Sequence, residues 1–115
     1  MSDSFVLYVL DACALIALTN NEQGADVVAA AYKKAERGEA KIIMNRINLL
    51  EVFYGFYREH GKDFAEKFLD SIMQSIISIT EFDTTLFSES GRLKSSYKIS
   101  LADSIVLAQA LLSGG

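Results

Sequence analysis

Proline is missing from this chain of 115 residues, and cysteine and histidine each occur once. The lone Cys13 rules out an intrachain disulfide and leaves no thiolate set for a zinc cluster. With no signal-peptide pattern in view either, the expected compartment is the cytosol. Without proline, a low-complexity tract or an internal repeat, nothing marks a linker, and a single domain is expected. No apolar run reaches membrane-spanning length: Phe5–Leu10 is strand-sized, and Leu101–Leu112 is interrupted by Asp103 and Gln109. No glycine-rich phosphate cradle is present. A net charge of −4 argues against a broad electrostatic grip on nucleic acid. It leaves room for an acidic site that recruits a divalent cation and, through it, a phosphate.

What the chain does have is apolar segments of two periods. Phe5-Val-Leu-Tyr-Val-Leu10 is a continuous run rich in β-formers, as in a strand covered on both faces of a parallel sheet. It stops at Asp11, and a short helix is expected over Ala12–Leu18. A second helix, Glu22–Glu36, carries Val27, Val28, Ala31 and Ala35 on one stripe and closes at Gly38. Lys41–Met44 reads as the next strand. The helix after Asn45-Arg-Ile-Asn48 runs through Leu49, Leu50, Phe53, Phe56 and Tyr57 to about Gly61. Phe64, Phe68, Leu69, Ile72 and Met73 place an amphipathic helix over Asp63–Gln74. A third strand over Ile76–Phe82 and a helix over Asp83–Ser96 follow. The last helix, from Leu101, has Asp103 as its only charge, is expected to be buried around most of its circumference, and exits through Ser113-Gly-Gly115. The order β-α-α-β-α-α-β-α-α points to an α/β fold with a mainly parallel sheet and right-handed crossovers. So apolar a last helix would normally return to a strand, and the sheet is expected to be incomplete.

Three acids fall near helix starts: Asp11 after the first strand, Glu51 three residues after Asn48, and Asp103 three residues after Ser100. Each has a structural role open to it. Asp is a favoured N-cap, Ser100-x-x-Asp103 is a capping-box variant, and helix amino termini favour carboxylates. If the three helices converge at the carboxyl edge of the sheet, the acids would repel one another unless a cation sat between them. An all-oxygen set of that kind suits Mg²⁺ or Mn²⁺.

Three segments carry a family resemblance. Asp11-Ala-Cys-Ala-Leu-Ile-Ala-Leu resembles the opening of the PIN-domain ribonucleases, and Asn48-Leu-Leu-Glu51-Val-Phe-Tyr-Gly their second acidic element. Lys98-Ile-Ser-Leu-Ala-Asp103-Ser-Ile-Val-Leu-Ala-Gln-Ala is similar to the third and is the most specific of the set. Within that family the chain looks like the VapC-type toxins of prokaryotic toxin–antitoxin pairs. The resemblance covers essentially the whole chain and implies one PIN-like domain over 1–115, a parallel sheet flanked by helices. It further implies Mg²⁺- or Mn²⁺-dependent cleavage of RNA phosphodiesters, with Asp11, Glu51 and Asp103 as metal ligands and catalytic residues, and an antitoxin as protein partner.

The chain departs from that family in three respects. The strands that usually follow the last helix, and the further acid they carry, are not in the sequence. Cys13 stands where the family often has a small hydroxyl residue, and is expected to be a small buried side chain. Without the later strands, Phe5–Leu10 would be an exposed apolar edge, which self-association or another chain is expected to cover. Among the cations, Lys98 and Arg46 lie nearest the acids in sequence and are the candidate RNA contacts. His60 is expected to be an exposed helix-exit residue. A second reading, favoured by the missing strand and acid, is a catalytically impaired PIN-like module that binds a partner such as an antitoxin. A phosphoacceptor receiver or a dehalogenase-type phosphotransferase is disfavoured, because Ala12 and Cys13 follow Asp11 where those sites carry further acids.

Overall fold

The computed structural model describes residues 5–113. Three short strands form a parallel sheet in the order β1 (Val6–Val9), β2 (Ala40–Asn45), β3 (Ser78–Thr80). Val6 pairs with Ala40 and Val9 with Ile43, and Ile43 to Asn45 pair with Ser78 to Thr80. Two helices follow each strand: α1 (Ala12–Thr19) and α2 (Ala25–Glu36), α3 (Arg46–His60) and α4 (Lys62–Met73), α5 (Thr84–Ser96) and α6 (Leu101–Leu112). This is the expected α/β architecture.

The central strand explains the layering. Five of its six residues are buried, because both sheet faces are covered by helices, as parallel sheets require. Ile42 and Met44 join Leu10, Leu15, Leu49, Val52, Phe56 and Ile72 in the main core. Phe56 meets Phe64 and Phe68 edge-on, which locks α3 to α4. A second, smaller core of Leu86, Leu93, Ile105 and Ala108 joins α5 to α6.

Several boundaries differ from expectation. The α2 helix begins at Ala25 rather than Glu22, because Gly24 adopts a positive φ at its start. Val27, placed on the inward stripe by sequence, is 73% exposed, while Ala35 is buried in the core as expected and Val28, Ala31 and Tyr32 pack against it. The third strand is shorter than Ile76–Phe82. The α3 helix starts three residues early: Asn45, not Asn48, is its N-cap, accepting a hydrogen bond from Ile47 N (3.0 Å). The same Asn45 donates to Glu81 O (3.1 Å), tying the end of β2 to the chain leaving β3.

The largest correction concerns α6. Ser104, Ile105, Ala108 and Gln109 are buried, but Leu101 (61%), Leu107, Leu111 and Leu112 are exposed. The described residues cover this helix from one side only, chiefly through α5. The outer edge of β1 is likewise unpaired among them, with Phe5 (54%) and Leu7 exposed. The edge expected from sequence is therefore present. Gly114 and Gly115, part of the expected helix exit, lie outside the described residues.

Candidate functional site

Asp11 follows the last buried residue of the first strand segment, Leu10, and caps α1. Its Oδ1 accepts a hydrogen bond from Ala14 N at 2.7 Å, leaving the second carboxylate oxygen outside the cap. Asp103 lies in the first turn of α6, where its backbone N–H donates to Ser100 Oγ (3.0 Å). Asp11 thus holds the capping position that local sequence suggested, as Ser100 holds the one before Asp103. Glu51 does not. With α3 starting at Arg46, it sits in the second turn, too deep in the helix to cap it. It shares a face with Asn48, three residues earlier.

The three acids come together. Asp11, Glu51 and Asp103 line one depression of about 220 Å³, with Asn48, Cys13 and Ser100 between them. It lies where the helices after β1 and β2 begin, at the carboxyl edge of the sheet, the side on which open α/β sheets bind ligands. Glu51 and Asp103 are exposed and Asp11 is half-buried. As the side chains stand, no three His, Cys, Asp or Glu groups among the described residues close on a common point that would hold a metal ion. The donor chemistry nonetheless fits a hard divalent cation: three carboxylates in one hollow, and beside them a buried amide oxygen, Asn48 Oδ1, with no hydrogen-bond donor.

Cys13 corrects an expectation. The structure exposes it on the rim of this depression instead of burying it, because α1 turns Ala12, Ala14 and Leu15 toward the core and leaves Cys13 facing out. Asn48 is the residue that sequence reasoning missed. Taken there for a helix cap, it is 1% exposed inside α3 and donates through Nδ2 to Ala102 O (3.2 Å), across to the first turn of α6. The available signal was a single amide among Ile47, Leu49 and Leu50, on the same helical face as Glu51.

The two candidate phosphate contacts do not line the depression. Arg46 forms a two-pronged ion pair with Glu81 (Nη2–Oε2 2.9 Å, Nε–Oε1 3.1 Å), and this partner raises its pKa, through the hydrogen bond first and the charge second. Lys98 is exposed in the α5–α6 connection, two residues before the Ser100 cap. His60 is exposed in the last turn of α3, as expected. A larger hollow of about 400 Å³, lined by Thr80, Glu81, Asp83 and Gln109, also bears carboxylates. Glu81 there is neutralised by Arg46, and Asp83 caps α5 through Leu86 N (2.9 Å).

A three-stranded parallel sheet with paired crossover helices, and with acids gathered where those helices begin, defines an α/β domain of the acidic-site kind. A model of the PIN domain matches residues 8–115, and the chain belongs to the PIN domain family. Three solved structures share the fold. A toxin–antitoxin complex from Klebsiella pneumoniae matches with a TM-score of 0.67 and 23% identity, over 92% of this chain and 79% of that one. The Mycobacterium tuberculosis toxin VapC20, which cleaves the sarcin–ricin loop, matches with a TM-score of 0.67 and 14% identity, over 96% and 84%. VapBC2 from Rickettsia felis, bound to a DNA fragment from its promoter, matches with a TM-score of 0.70 and 19% identity, over 95% and 83%. No curated protein matches the chain by sequence. Among the described residues, no helix is long and apolar enough to cross a membrane.

Proposed function

We propose that this protein is a Mg²⁺- or Mn²⁺-dependent endoribonuclease of the VapC toxin type, hydrolysing RNA phosphodiesters at the Asp11–Glu51–Asp103 depression. The observation that carries the reading is the gathering of three acids, distant in sequence, into one hollow at the carboxyl edge of the sheet. Family membership and a fold shared with the sarcin–ricin-loop-cleaving VapC20 support it.

Asp11, Glu51 and Asp103 would hold the cation. When bound, it supplies a polarised water for attack on phosphorus and offsets the charge that builds up in the transition state. The protein's own part is placement. The cap through Ala14 N fixes one oxygen of Asp11 and leaves the other outside the cap, while Ser100 fixes the turn that carries Asp103. No histidine enters this chemistry. Lys98 is the proposed phosphate contact. Arg46 would reach RNA only by exchanging Glu81 for phosphate.

The proposed setting is the cytosol, with an antitoxin as partner, a role supported by the toxin–antitoxin complexes that share the fold. The unpaired edge of β1 and the exposed leucines of α6 favour association, with the antitoxin or with a second copy. Those surfaces also favour the second reading, a PIN-like module that acts by binding alone. An RNA cleavage assay with Mn²⁺ and no partner, run beside Asp103→Asn, separates the two. Cleavage that needs both the cation and Asp103 supports the nuclease. Absent cleavage, with a stable antitoxin complex, supports the binding module. Sedimentation at micromolar concentration tests self-association, and a monomer would count against it.

A further inference from the structure

Among the described residues, three buried side-chain atoms lack a hydrogen-bond partner: Ser90 Oγ, Gln109 Oε1 and Asn48 Oδ1. Of these residues only Asn48 lines the acidic depression. Its orientation is not arbitrary. Only the amide nitrogen can donate to Ala102 O, so that bond forces the amide oxygen to the opposite side. An amide oxygen removed from water and given no donor is costly. The fold keeps one here, beside three carboxylates that themselves have no cationic partner in the hollow.

We infer that Asn48 is a positioning residue of the cation site, its side-chain oxygen held ready for the divalent ion or for a water that the ion carries. The inference rests on the cation reading of the Asp11–Glu51–Asp103 depression and deepens it. Asn48 has two distinct tasks. Through Nδ2 it fastens the helix that carries Glu51 to the turn that carries Asp103, and through Oδ1 it adds a fourth, neutral oxygen to the set. The carbonyl of an asparagine is a normal ligand type for hard cations and a normal acceptor for their water.

The test is a calorimetric Mn²⁺ titration, with thermal unfolding in parallel, on the full chain and on Asp103→Asn, Asn48→Ala and Asn48→Asp. The wild type should bind Mn²⁺ and Asp103→Asn should not. Asn48→Ala should weaken binding by about 10- to 100-fold, the usual cost of losing a supporting partner of a metal site. Asn48→Asp cannot donate to Ala102 O, so it should unfold at a lower temperature without metal, yet bind Mn²⁺ at least as tightly as the wild type. A purely structural asparagine would not give lower stability together with retained affinity. Equal loss of affinity in both variants, or wild-type affinity in Asn48→Ala, overturns the inference while the cation reading stands. No Mn²⁺ binding by the wild type overturns both. A readout on the unmutated protein covers the case in which a variant fails to fold. The side-chain amide signal of Asn48 should shift on Mg²⁺ titration and saturate with the backbone amides of Ala12 and Asp103. A still Asn48 signal while those two move would sink the proposal.

Discussion

Among the described residues, carboxylates line one hollow beyond β3 and another beyond β1 and β2. In the one beyond β3, Glu81 is matched by Arg46, and Asp83 is occupied as a helix cap. In the one beyond β1 and β2, Asp11 caps its helix just as Asp83 does, but Glu51 and Asp103 join it and, among the described residues, no cationic side chain lines the hollow. The hollow beyond β3 is the larger of the two. Size therefore is not what singles out the candidate site. What separates the two is whether the negative charge is already balanced within the fold. An aspartate doing the same backbone work is a structural cap in one place and a candidate ligand in the other.

The comparison can be broken by substitution. The largest effect is expected from Asp103→Asn, which should reduce Mn²⁺-dependent RNA cleavage by more than about 100-fold, beyond the range for supporting residues of metal sites. Circular dichroism should show the fold unchanged, because the Ser100 cap engages the Asp103 backbone and not its carboxylate. Asp11→Asn then separates capping from ligation. Asparagine caps about as well as aspartate, so thermal stability should hold while Mn²⁺ affinity measured by calorimetry falls sharply. The reverse is expected of Asp83→Ala: a loss of about 1 kcal/mol in denaturant unfolding, typical of a missing cap, with Mn²⁺ binding untouched.

Cys13 sharpens the contrast further. As an exposed thiol on the rim of the acidic hollow, it should react with a maleimide reagent. Mass spectrometry should show slower labelling when Mn²⁺ is present, and the labelled protein should cleave RNA more slowly. The smallest effect is expected from Glu81→Gln. It releases Arg46 from an ion pair that is exposed on both sides, and such pairs contribute little. Cleavage should stay within about twofold of wild type, since exposed pairs of this kind hold nothing else in place.

The parts of the fold visible in the sequence were those that local chemistry dictates. Phe5–Leu10 and Ile42–Met44 are continuous apolar runs, the pattern of parallel strands, although only the second is buried throughout; β1, at the edge, is half-covered. Asp11 and the Ser100–Asp103 pair cap their helices by contacts within three residues, so adjacent sequence was enough. Glu51 drew notice as an acid near a helix start, but its place was measured from Asn48, and α3 starts three residues earlier. Asn45 and Asn48 are both able caps three residues apart. The choice fell to Asn45 because its side chain also reaches the exit of β3, thirty-six residues away. That contact is tertiary, and no local pattern announces it. The exposure of Cys13 and the bare side of α6 were hidden for a related reason. An eight-residue helix made almost wholly of apolar residues has no polar face to mark its outside, and the same is true of Leu101–Leu112.

Asn45 is at once the last residue of β2 and the cap of α3, so strand passes into helix with no intervening loop. This makes the acidic hollow intolerant of length change at one point on the chain. A single residue added after Asn45 would turn everything beyond it by about 100° around the helix axis. Both Glu51 and Asn48 would leave the hollow while the core was forced to repack. An added residue in the turn around Asn21 and Gly24, or in the connection before Ser100, meets a loop able to absorb it. Natural length variation among proteins of this kind should thus gather in those turns and avoid the junction after β2.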